Sequence, residues 1–135
     1  MTDITARAIV EVIGSPEQHV TTVLRSLIDK MKTRKELKIV KEETFAAQKM
    51  EKQPLWSTFM EAEISFNDLQ ALLNFCFDFM PSSIEILSPD ALSSKQQEIN
   101  NFINDLIARL HQYDMILKNV HAENVMLKRK MGEAQ

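Results

Sequence analysis

Between Pro89 and Met131 the chain has no glycine and no interior proline. Pro89 follows Ser88, and Gly132 follows the last apolar residue. Proline early and glycine just past the end are the punctuation of one helix. At 1.5 Å per residue that helix would be roughly 60 Å long, more than the globular part of such a chain needs. It also keeps a heptad. With a at Ile103, Leu110, Leu117, Asn124 and Met131, the d positions are Leu92, Ile99, Leu106, Tyr113, Val120 and Leu127. A seam of this kind asks for a partner helix. The contact would be carried by Ile103, Leu106, Leu110, Tyr113, Leu117, Val120, Asn124 and Leu127.

The flanking positions divide the helix in two. In the distal part, Asn124 at an a position fixes register and favours two parallel strands at some cost in stability. Arg109 to Asp114 and Glu123 to Lys128 are g-to-e pairs of opposite sign, and both require a parallel, in-register dimer. Leu110 and Leu117 at a are not the β-branched choice of dimers, so a trimer or tetramer remains open. In the proximal part, Phe102, Ile107 and Ile116 at g, e and g make the stripe too wide for a two-stranded seam. That part is expected to pack on the globular domain, onto Phe75 and Phe79 or onto a sheet face.

The preceding residues alternate between strand and helix patterns. Residues 6–13, ARAIVEVI, are β-branched and apolar on nearly both faces, as in an inner strand. Gly14 ends it, and Ser15-Pro16-Glu17-Gln18 reads as a helix start with Ser15 as N-cap. Val20, Val23, Leu24, Leu27, Ile28 and Met31 follow at helical spacing to about Lys32. Residues 37–50 read as a strand whose Lys and Glu suit an exposed edge. In 55–66, Trp56, Thr58, Met60, Ala62, Ile64 and Phe66 alternate with Ser57, Phe59, Glu61, Glu63 and Ser65, a period of two. Asn67-Asp68-Leu69-Gln70 caps a second helix, apolar nearly all round, which stops at Pro81. Residues 83–87, SIEIL, are a last short strand.

This order resembles, in topology alone, the split β-α-β arrangement of ferredoxin-like domains. The expected fold is therefore α+β: a ferredoxin-like βαββαβ sandwich over residues 1–88, a long C-terminal coiled-coil helix over 89–131, and a tail over 132–135. The first and third strands would be central. Their uncovered face would present Arg7, Ile9, Glu11 and Ile13 beside Ser57, Phe59, Glu61 and Glu63. RNA-binding sheets use aromatic platforms with basic groups on this face. Here it is acidic, which disfavours nucleic acid and suits a surface covered by a protein partner. Glu11, Glu61 and Glu63 could hold a cation, but solvation or pairing with Arg7 accounts for them.

Other chemistry is sparse. The net charge of -3 points neither to nucleic acid nor to acidic membranes. The single cysteine, Cys76, allows no intrachain disulfide and no cysteine metal cluster, and it lies in an apolar helix face. His111 and His121 are ten residues apart, at b and e positions, with no short-spaced metal motif. Two glycines in the whole chain exclude a glycine-rich phosphate loop. These absences argue against an enzyme and against a cofactor. No apolar run approaches the ~20 residues of a membrane span, and the N-terminal sequence has no signal-peptide pattern, so the expectation is a soluble, cytoplasmic protein.

The leading expectation is a non-enzymatic homo-oligomeric scaffold or regulatory assembly protein, a parallel dimer. An alternative rests on the Gly14–Glu17 turn. It resembles the place where ACT-like regulatory domains bind small molecules at a subunit interface, which would make Gly14, Ser15 and Glu17 ligand-binding residues. A second alternative is a nucleic-acid accessory protein using the basic stretch Lys30 to Lys41, although Glu36 lies within that stretch and Glu42 and Glu43 follow it.

Overall fold

The computed structural model describes residues 3–133. Its elements are β1 (Ile4–Gly14), α1 (Glu17–Lys32), β2 (Leu37–Lys49), β3 (Trp56–Phe66), α2 (Leu69–Phe79), β4 (Ser83–Ser88) and α3 (Gln96–Glu133). The chain divides between Ser93 and Ser94 into two compact units. The protein is thus α+β, with one four-stranded antiparallel sheet and a long C-terminal helix.

In the first unit the strand order is β2-β3-β1-β4, which leaves β2 and β4 as edges. β1 and β3 pair along their whole lengths, from Ile4 opposite Phe66 to Gly14 opposite Trp56. Successive strand side chains point to opposite faces. In β1, Ile4, Ala6, Ala8 and Val10 are buried, and in β3 Thr58, Met60, Ala62, Ile64 and Phe66 are. Residues directly opposite each other share a face, so these two sets form one apolar floor. Both helices cover it. Leu24, Ile28 and Met31 of α1 and Ala71, Leu72, Phe75 and Phe79 of α2 join it in a single core. Phe75 lies at the junction: its ring meets Phe66 edge-on at 5.4 Å and Phe79 at 5.3 Å.

Helix termini show how local chemistry sets the boundaries. Ser15 does not cap α1, contrary to the sequence expectation. Pro16 takes the cap position with extended backbone and makes no side-chain cap bond. Its carbonyl instead accepts from the amides of His19 and Val20, at 3.0 and 3.3 Å. At α2, Asp68 caps as its sequence position suggests: a side-chain oxygen accepts from the Ala71 amide at 2.8 Å. The helix ends at Met80, whose φ of 46° is left-handed, and Pro81 follows. A non-glycine residue is uncommon there.

α3 starts seven residues later than Pro89 suggests, at Gln96, and runs past Gly132 to Glu133. The true start signal is serine. Ser94 Oγ donates to Glu98 Oε2 at 2.7 Å, and the Ile99 amide closes on the Lys95 carbonyl at 3.2 Å. Leu92 therefore precedes the helix and is not part of the heptad seam. Gly132 does not stop it, because at a solvent-exposed helix end glycine costs only about 1 kcal/mol relative to alanine.

Candidate interaction surface

Helix α3 is 38 residues long, and none of its described side chains is buried. Isolated helices in water are marginal unless an apolar face is covered. The face predicted from the heptad lies along one side and stays open. Ile103, Leu110, Tyr113, Val120 and Leu127 are each well over a third exposed, and Leu117 reaches 68%. Leu106 is half-buried and Asn124 exposed. Leu117, Val120, Asn124 and Leu127 line a shallow groove flanked by His121 and Glu123. Along this helix Lys118 pairs with Asp114, one turn apart at 2.8 Å. Both groups are exposed, so the pair contributes little.

Phe75 and Phe79, the apolar surface that the sequence offers to the long helix or to another protein, pack within the sheet unit. Both are buried, at 1% and 7% exposure, inside the core of the sheet unit. The excess apolar surface of α2 is used there because Phe66 and the Arg34 guanidinium, 5.2 Å from the Phe79 ring centre, close around it. The same packing half-buries Cys76, and that burial raises its thiol pKa. This is the environment of an inert thiol.

The uncovered sheet face carries the residues predicted for it. At its centre the Arg7 guanidinium fans out to three carboxylates, Glu85 at 3.3 Å, Glu61 at 3.4 Å and Glu63 at 3.8 Å. Arg7 thus occupies the position a cation would need between Glu61 and Glu63. Among the described residues no group of three or more His, Cys, Asp or Glu is placed to hold a metal ion. Phe45 stacks on Phe59, its cross-strand partner, with ring centres 4.4 Å apart.

At the Gly14–Glu17 turn the geometry serves packing. A Cβ on Gly14 would come within 3.3 Å of Val20 Cγ1, so glycine lets the first turn of α1 lie against the strand end. Pro16 O already engages two first-turn amides. Glu17 places a carboxylate in that first turn, which satisfies the helix dipole and opposes a bound anion.

The basic stretch is partly neutralised. Lys32 meets Glu42 at 2.8 Å, and that hydrogen bond raises its pKa. Arg34 binds Asp78 at 2.9 Å and Glu36 at 3.2 Å, and these bonds, Asp78 first, raise its pKa as well. Asp78 lies 44 residues away in sequence, so only topology brings it there.

Residues 5–132 match the model of the MJ0538 family. The chain belongs to the MJ0538 family. The match runs through both units, so the sheet and the exposed helix fall within one family span. No curated protein and no solved structure matches the chain. Among the described residues, no helix of this MJ0538-family protein is long and apolar enough to cross a membrane.

Proposed function

We propose that this protein is a non-enzymatic homodimeric assembly protein, in which a C-terminal parallel coiled coil holds two ferredoxin-like domains at one end. One observation carries the reading: α3 presents a continuous apolar stripe with none of its described side chains buried. The stripe repeats every seven residues, from Ile103 through Leu110 and Leu117 to Asn124. A straight α-helix drifts about 20° per heptad against such a repeat, and two helices absorb the drift by a left-handed supercoil.

In a parallel, in-register pair Asn124 meets its copy at the axis and can exchange a side-chain hydrogen bond, which offset registers forbid. Asp114 would exchange its exposed Lys118 contact for Arg109 of the second copy, and Glu123 would face Lys128. For the sheet unit, the order β2-β3-β1-β4 with both helices on one floor supports the ferredoxin-like reading. A scaffolding or regulatory role follows from the pairing of two such domains. Light scattering across micromolar concentrations tests the reading: the expected mass is that of two chains, and a protein that stays monomeric at 100 µM (about −5.5 kcal/mol as a dissociation constant) sinks it. Asn124→Leu should raise thermal stability while broadening the distribution of oligomers.

A further inference from the structure

The two edges of the sheet are built differently. β2 is thirteen residues long, carries exposed Lys38, Lys41, Glu42, Glu43 and Lys49, and shifts register twice, between Ile39 and Lys41 and between Phe45 and Gln48. Charges and bulges are the devices that keep an edge strand from pairing with another chain. β4 is six residues long, and its one register shift falls at its C-terminal end, between Ile86 and Ser88. Its one charged residue, Glu85, lies on the uncovered face and is held by Arg7 at 3.3 Å. On the helix-covered face it presents Ile84 and Ile86, opposite Ala8 and Ala6. Those alanines are fully buried, yet Ile84 and Ile86 are 38% and 41% exposed. Among the described residues no strand pairs with the outer side of β4.

We propose that β4 is a second contact between two copies of this chain, pairing antiparallel with β4 of the other copy to give one eight-stranded sheet. The inference rests on the dimeric reading above. A second copy is the occupant that fits for three reasons. A two-fold axis brings a patch against itself, and within one sheet that pairing is antiparallel. Centred on Glu85, it places Ile84 opposite Ile86 of the partner copy and Ile86 opposite Ile84, so four isoleucines close the open flank of the core. The two Glu85 carboxylates then face each other, and the Arg7 beside each one offsets a repulsion that would otherwise oppose the pair. Second, pairing of β4 with the charged β2 edge of another molecule would be a head-to-tail contact that propagates without closing, and β2 is built against it. Third, β4 is joined to α3 by residues 89–95 alone. A short link of this kind raises the effective concentration of the second β4 into the millimolar range once the helices pair.

The test is disulfide trapping in the full chain, with Cys76→Ser to remove the native thiol. Residues opposite each other in an antiparallel pair have Cα atoms about 4.5–5.5 Å apart, within the range a disulfide bridges. Glu85→Cys should therefore cross-link between copies about tenfold faster than Lys38→Cys on the β2 edge. Light scattering of the reduced samples is run alongside. A dimer in which Glu85→Cys links no faster than Lys38→Cys overturns the edge contact and leaves the helix reading standing. A monomer overturns both. Hydrogen exchange on the unsubstituted dimer gives a check that needs no folding of a variant. The outward-facing β4 amides should exchange as slowly as those bonded to β1, and their exchange at the rate of unpaired backbone sinks the proposal.

Discussion

Helices α1 and α3 carry the same kind of pattern and meet opposite fates. In α1 the stripe of Val20, Leu24, Ile28 and Met31 is buried against the sheet. In α3 the stripe of Leu110, Leu117, Val120 and Leu127 stays more than half exposed. Both are amphipathic helices. What separates them is whether the helix's own unit supplies the opposing surface. For α1 it does, and the periodicity is spent on folding. For α3 its own unit supplies none, and the proposed pairing of two helices would cover it.

Four substitutions probe that contrast. The largest expected effect is Phe75→Ala, which removes the ring at the Phe66–Phe79 junction and should destabilise the sheet unit by about 3–5 kcal/mol. Urea denaturation followed by Trp56 fluorescence reads it, and an unchanged midpoint would mean the core does not hold the unit together. Leu117→Asp should do the reverse. In the proposed dimer it would bury a charge at the seam at a cost of about 3 kcal/mol or more, so the mass by light scattering should halve while the urea midpoint of the sheet unit holds. If Leu117→Asp remains dimeric, α3 is not the contact. Asp68→Ala removes the cap of α2 and should cost about 1 kcal/mol by the same urea assay, with no effect on mass.

The smallest effect is pH-linked. Burial raises the Cys76 thiol pKa in the folded protein, whereas the unfolded chain loses that proton near pH 8.5. The folded state then holds more protons than the unfolded one, so stability is fully present below about pH 8.5 and declines as pH rises beyond it. Cys76→Ala should flatten that decline.

The order of elements and the sides of β1 and β3 were readable because alternation is a local, two-residue signal. Thr58, Met60, Ala62, Ile64 and Phe66 fall on one face whatever lies beyond them. The long C-terminal helix was readable because its helical spacing is likewise a local signal. What escaped were choices decided at a distance or between competing local signals. Pro89 and Ser94 both mark helix starts, and the serine prevailed because Glu98 could answer its hydroxyl. Ser15 looked like a cap, but the helix starts one residue later, with Pro16 extended at the cap position. Phe75 and Phe79 looked like spare apolar surface because nothing in the sequence shows Phe66 or Arg34 arriving beside them. Exposure of Ile84 and Ile86 was equally hidden, since SIEIL reads the same whether its outer edge is covered or bare.

The left-handed Met80 has a consequence of its own. A side chain held at φ 46° stores about 1 kcal/mol or more of backbone strain that glycine would not feel. The chain ends α2 there regardless, with Pro81 next in line to forbid a further turn. The molecule therefore carries an unclaimed reserve of thermal tolerance at one solvent-facing position, and Met80→Gly is the route to it. That a residue so exposed has been left strained places this fold below the ceiling its own backbone permits.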